Sequence, residues 1–161
     1  YYAAHTAIWS GEYNEYLGDG GRGSLKSTFA ATEVVLLIMR VPNIHAVVLR
    51  KVGNTLATSV WPEYNRVIAR MGIRHLWRQT KKPYTLTYIP TGQTIQFYGL
   101  DDPGKLKSIA VPFGYFGVMH FEEFDQYDGP EEVRNVPWPA TGSTGTSGSR
   151  SRASSGITPP I

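Results

Sequence analysis

The chain has 161 residues, 41% of them hydrophobic, which is enough for one domain with a real core and excludes a disordered composition overall. It contains no cysteine, so disulfide staples and thiolate metal sites are excluded, and a reducing compartment is compatible. A net charge of +3 favours polyanion partners only mildly. The longest apolar run, Val34 to Met39, is far short of the roughly 20 residues that cross a bilayer.

Tyr1 to Trp9 is aromatic and reads as a short helix that packs rather than one that covers a ligand's adenine ring. The chain opens on Tyr1 rather than Met, as a fragment or a processed product would. Tyr13 to Gly18 has the length of a strand. Next comes Gly20-Gly21-Arg22-Gly23-Ser24-Leu25-Lys26-Ser27-Thr28, and then a mostly apolar helical run from Phe29 to Met39. A strand, a glycine-rich turn, Lys-Ser and a helix make up the context of a phosphate-binding loop. Glycines let the backbone curl with its N–H groups inward, and the helix start adds positive partial charge. In that arrangement Lys26 reaches the outer phosphates of a nucleotide and the Ser27 hydroxyl holds Mg²⁺. Aligned on Lys26, the pattern G-x-x-x-x-G-K-[ST] has its first glycine at Gly20 but Leu25 in place of its second. Leucine costs little there in a helical conformation, and roughly 1 kcal/mol or more in a left-handed one. The bland alternative is a glycine-rich turn that holds no ligand.

Pro42-Asn43 ends the helix. Ile44 to Leu49 is a nearly continuous apolar run, as in a strand buried on both faces of a parallel sheet. His45 reads as a strand residue rather than a ligand, and Arg50-Lys51, on the same sheet edge as the loop, as solvated strand-end charges rather than phosphate sensors. Asn54 or Thr55 caps a second helix expected to reach Met71, with a kink at Pro62 and a stop at Gly72. Arg66, Arg70, Arg74 and Arg78 recur every fourth residue, with Trp77 between the last two. That spacing fits a solvated helix face better than a nucleic-acid stripe. Thr85 to Ile89 and Gln93 to Tyr98 alternate in period two around Pro90-Thr91-Gly92 and predict a β-hairpin. A turn and a short basic helix around Lys105 and Lys107 follow.

Tyr115 to Phe121 reads as an apolar strand ending in Glu122-Glu123. At the end of a strand beside a phosphate loop, the first carboxylate belongs to the Mg²⁺ shell and the second orients or deprotonates the attacking water. From Val136 the composition changes to Gly, Ser, Thr and Pro, as in a linker or a disordered tail. The expected organisation is an α/β domain over 1–136, P-loop NTPase-like, with a mostly parallel sheet, flanking helices and a hairpin insertion. A disordered tail over 137–161 follows it.

Taken together, Gly20 to Thr28, Val48-Leu49-Arg50-Lys51, Gly92 to Asp102, Lys105-Leu106-Lys107-Ser108 and Phe121-Glu122-Glu123 resemble the phage terminase large subunit of the PBSX type. The resemblance runs from about Tyr13 to about Val136. It implies the ATPase domain of a DNA-packaging motor, with ATP and Mg²⁺ as cofactors. Double-stranded DNA, the portal protein and the terminase small subunit are the implied partners, in a homo-oligomeric motor in the host cell cytoplasm with no membrane contact. Carried over by residue, Gly20, Gly21, Arg22, Gly23, Ser24, Leu25, Lys26, Ser27 and Thr28 hold the nucleotide. Ser27 and Glu122 serve the metal, Glu123 is the catalytic carboxylate, and Arg22 acts on the γ-phosphate. In the family a coupling motif, further strands and a nuclease follow. Here the tail stands in their place without Asp or Glu, so the chain reads as a truncated product without nuclease function. Two other readings stay open: another P-loop DNA motor or helicase, and an inactive remnant that at most binds nucleotide.

Overall fold

The computed structural model describes residues 1–11, 15–18, 25–101, 103–137 and 139. Its elements, in order, are α1 (Tyr2–Ser10), α2 (Lys26–Arg40), β1 (Ile44–Arg50), α3 (Val60–Arg70), β2 (Trp77–Lys81), β3 (Tyr84–Tyr88), β4 (Thr94–Gly99), α4 (Pro103–Ser108), β5 (Tyr115–Phe121) and α5 (Pro130–Arg134). Short 3₁₀ turns stand at Gly53–Thr55, Arg74–Leu76 and Phe124–Gln126. One five-stranded sheet runs in the order β2-β3-β4-β1-β5.

The apolar run at β1 becomes the axis of the sheet, and all seven of its residues are buried. It pairs in parallel with β4 on one side and β5 on the other. Alternate side chains go to opposite faces. Ala46 and Val48 join the core under α1, α2 and α3, whereas Val47 and Leu49 join Leu106, Met119, Phe121 and Val133 on the other face. Both faces are covered, which is why the strand carries no polar alternation.

The expectation of a mostly parallel sheet is corrected. The β2–β3 and β3–β4 pairings are antiparallel, so among the described residues antiparallel and parallel pairings are equal in number. Connections this short cannot reverse a strand into parallel alignment. The hairpin itself forms as the alternation predicts, with Gly92 at φ 79° and the Tyr88 N–H donating to Gln93 O at 2.8 Å. The arginines at fourfold spacing do not share one helix. Arg66 and Arg70 lie on α3, Arg74 opens a 3₁₀ turn and Arg78 lies on β2. Trp77 is in the core opposite Tyr88, so it is not a stacking surface for nucleic acid.

Helix α3 starts at Val60 instead of behind a cap at Asn54 or Thr55, which puts Pro62 in the first turn, where a missing N–H costs nothing and no kink follows. Gly72, at φ 70°, ends it as expected. Residues 15–18 are in neither helix nor strand, against the strand expected before the loop. The tail from residue 137 lies outside the described residues apart from Pro137 and Pro139.

Helix α1 forms as expected and is pinned to α2 by a buried carboxylate. Glu33, 3% exposed, accepts from Trp9 Nε1 at 2.8 Å and meets His5 Nδ1 at 2.7 Å. Removing one partner of such a contact costs about 1–3 kcal/mol.

His45 is a structural residue. Its Nε2–H donates to Phe113 O at 2.8 Å, and its Nδ1 accepts the Thr94 N–H at 3.0 Å. Burial lowers its pKa, against a smaller opposing pull from the Phe113 carbonyl. The folded pKa therefore lies below the unfolded one, and the unfolded chain takes up the proton first. Stability is expected to fall as pH drops below about 6.5. Urea midpoints on either side of that pH check it: the fall should be smaller in His45→Gln, and an equal fall places the proton on another group.

Candidate functional site

The ends of β1, β4 and β5 lie side by side. Arg50 aligns with Gly99, and Leu49 with Phe121. The Glu122 N–H donates to Leu49 O at 2.9 Å, so the register holds for one residue beyond β5. Helix α2 precedes β1 through a tight turn, so its first residues return to this same edge. Such an edge of an α/β sheet is where ligands bind.

Three segments converge there. Ser27 Oγ donates to Glu122 Oε1 at 2.7 Å, across 95 residues of sequence. Thr28 Oγ1 donates to Glu63 Oε1 on α3, and Glu63 also holds Arg66. Lys26 opens α2 and is exposed at its start. No acidic residue occupies the first turn of α2 and, among the described residues, no side chain caps it, while the carboxylates of Glu122 and Glu63 reach its Ser27 and Thr28 hydroxyls. Leu25, the N-cap, has φ 59° and ψ 15°, the left-handed conformation in which the departure from glycine is costly. Gly20, Gly21, Arg22, Gly23 and Ser24 lie outside the described residues.

The two adjacent glutamates have different partners. Glu122 faces Ser27, and its Oε2 lies 3.4 Å from His120 Nε2. Glu123 has a left-handed backbone, φ 53°, which turns its side chain to an ion pair with Arg50. Arg50 also donates to Ser59 Oγ and is only 7% exposed. The expectation that Arg50 is a solvated strand-end charge is therefore corrected, because the carboxylate and the hydroxyl replace its water. Lys51 pairs with Asp128 at 3.1 Å and with Glu132 at 3.3 Å; the bond to Asp128 is the main cause that raises its pKa.

His120 went unnoticed in the sequence. It lies two residues before Glu122 on β5, and period-two alternation puts both on one face, which was the available signal. Its Nδ1 is 2.9 Å from the Tyr64 hydroxyl. Burial raises the Tyr64 pKa well above its ordinary value, and the nearby Glu122 charge adds to the shift. Burial lowers that of His120, partly opposed by Glu122. Tyr64 thus keeps its phenol proton beside the imidazole.

Ser27 and Glu122 present hard oxygens 2.7 Å apart, a donor set suited to Mg²⁺. Among the described residues no three acidic or histidine side chains cluster as a metal cage, so an ion here depends on oxygens from a ligand and water. An apolar recess of about 210 Å³ adjoins the start of α2, lined by Tyr1, Leu25, Thr28, Phe29 and Thr32. The Tyr1 and Phe29 rings stack at 4.7 Å. A larger recess of about 360 Å³, between Gly53, Lys81, Tyr84 and Asp101, contains none of these residues.

Residues 14–135 match the family model described as phage terminase large subunit. The chain is 40% identical over 126 residues to the terminase large subunit of Bacillus phage SPP1, covering 78% of this chain and 30% of that protein. It is 33% identical over 90 residues to the PBSX phage terminase large subunit of Bacillus subtilis, covering 56% of this chain and 20% of that one. The chain thus spans under a third of the length of these relatives.

Leu25 is 63% exposed, so its side chain contributes little burial to offset its backbone. Leu25→Gly should raise stability by up to about 1 kcal/mol, the left-handed penalty less the extra freedom of glycine in the unfolded chain. The readout is the urea midpoint; an unchanged or lower value would mean that this backbone is unstrained.

Proposed function

Because the chain belongs to the phage terminase large-subunit family, we propose that it binds and hydrolyses ATP as part of a DNA-packaging motor. The observation that carries this reading is the hydrogen bond from Ser27 to Glu122, which puts a loop hydroxyl and a strand-end carboxylate side by side. The fold class proposed is P-loop NTPase-like, with residues 1–136 as the ATPase domain and 137–161 as a tail.

The roles follow from chemistry. Residues Gly20 to Ser24 supply backbone N–H groups to the phosphates, and Lys26 adds its ammonium charge. Ser27 and Glu122 would hold Mg²⁺, which would neutralise phosphate charge. Glu123 takes a proton from the water that attacks the γ-phosphorus, and ADP leaves with the electrons of the broken P–O bond. Arg50 takes one oxygen of Glu123, and the other is assigned to the water. Arg22 stabilises charge on the γ-phosphate. The recess beside Tyr1 and Phe29 suits the adenine ring, which stacks on aromatic side chains. In the intact motor the partners are double-stranded DNA, the portal protein, the small subunit and further copies, in the host cytoplasm. Nuclease activity is not assigned to this chain.

One observation favours a second reading, nucleotide binding without turnover: the Glu123 carboxylate is engaged by Arg50. Two variants separate the readings. Lys26→Ala should weaken Mg-ATP binding by about 10–100-fold in calorimetry, the worth of a charge-assisted contact. Unchanged affinity would remove the nucleotide site. Glu123→Gln should leave binding intact and lower hydrolysis by about 10²–10⁴-fold. Loss of binding in Glu123→Gln would make Glu123 structural, and a parent chain that binds without hydrolysing would favour the second reading.

A further inference from the structure

Behind the carboxylate assigned to the metal runs a line of polar contacts that leads into the core. Ser27 Oγ is 2.7 Å from Glu122 Oε1, Glu122 Oε2 is 3.4 Å from His120 Nε2, and His120 Nδ1 is 2.9 Å from the Tyr64 hydroxyl. Tyr64 is fully buried, and the His120 side chain is 5% exposed. Packing alone does not explain the hydroxyl. The Tyr64 ring already meets Phe97 edge-on at 5.1 Å, and phenylalanine would fill the same space. A buried hydroxyl needs a partner, and here that partner is His120.

We propose that His120 is a positioning residue for Glu122, and that the Tyr64 hydroxyl fixes its tautomer with the proton on Nε2, facing the carboxylate. With the phenol O–H donating to Nδ1, the ring proton is placed on Nε2, 3.4 Å from Glu122 Oε2. Each Glu122 oxygen then has its own restraint, Ser27 on one and the imidazole on the other. Histidine and carboxylate partners of this kind orient a ligand of a bound ion and tune it. The restraint originates in α3, whose consecutive residues Glu63 and Tyr64 reach two different parts of the site. Glu63 holds Thr28 at the start of α2, while Tyr64 holds His120 on β5. Helix α3 therefore sets the spacing between the loop hydroxyl and the acidic strand end. The link to the metal rests on the ATPase reading, whereas the tautomer and its cause do not.

The test has two arms on the whole chain. In the first, nitrogen-15 NMR of histidine-labelled, metal-free protein reads the His120 tautomer, assigned by comparison with His120→Gln. Nε2 protonation is expected in the parent chain, with a change in tautomer population in Tyr64→Phe while the His45 signals stay fixed. An Nδ1-protonated ring in the parent, or no change in a folded Tyr64→Phe, overturns the proposal. In the second arm, calorimetry measures the Mg²⁺ concentration for half-maximal ATP binding. His120→Leu should raise it by about 10–100-fold, the usual effect of losing such a partner, and His120→Gln, which keeps a donor near Nε2, should recover most of it. An unchanged Mg²⁺ requirement in a folded His120→Leu also overturns the proposal. A parent chain that binds no Mg-ATP while the first arm succeeds overturns the ATPase reading instead, and His120 and Tyr64 keep their roles as the anchor of Glu122.

Discussion

A hydrogen bond between residues 95 positions apart demands that the sheet hold its register to within a fraction of an ångström. The Ser27–Glu122 contact meets that demand because β1 is buried on both faces and paired on both edges. A one-residue slip would move every side chain of β1 to the wrong core. It would also carry Glu122 away from α2. The apolar alternation of Val47 and Leu49 against Ala46 and Val48 therefore fixes the position of a polar contact that lies beyond the strand itself. The distance between hydroxyl and carboxylate is set by the packing of the core.

Strain collects at the same edge. Three non-glycine residues among those described have positive φ: Leu25, Asn43 and Glu123. Asn43 occupies the turn between α2 and β1, where asparagine tolerates that conformation. The other two flank the site, Leu25 before Lys26 and Glu123 after Glu122. Each costs roughly 1–2 kcal/mol, and neither is needed to bury a core residue. Strain that persists at a ligand-binding edge, with no gain in packing, is characteristic of positions selected for what the backbone presents. At Leu25 it starts α2, and at Glu123 it turns a side chain toward Arg50.

The sequence made β1, α2, the β3–β4 hairpin and β5 legible, because each is a run whose period or apolar continuity has one structural solution. It concealed β2. Arginines every four residues imitate a helix face, and only burial of Trp77 against Tyr88 shows that the stretch is a strand. The start of α3 was misplaced because Pro62 reads as a kink when the helix is assumed to begin earlier. At the site, Lys26, Ser27, Glu122 and Glu123 were visible as a motif. Arg50 was visible at the right strand end but read as solvated, because its partner Glu123 lies 73 positions away; Tyr64 and His120 were not visible, since their contact joins residues 56 positions apart. A histidine in an apolar strand reads as core, and so it was at His45; what distinguishes His120 is a carboxylate two residues further along the same face.

Two carboxylates on neighbouring residues repel. The left-handed backbone at Glu123 removes the conflict by geometry. Glu122 turns toward Ser27 and the neutral His120, and Glu123 turns to the fixed charge of Arg50. One carboxylate thus accepts from the Ser27 hydroxyl and has an imidazole 3.4 Å away. The other is held by a guanidinium that never deprotonates, in the half-open position from which a water can be reached. Had both glutamates faced the same way, they could not be given separate chemical duties. A single backbone dihedral, at a residue where glycine would have been the easy choice, sends two adjacent carboxylates to different partners.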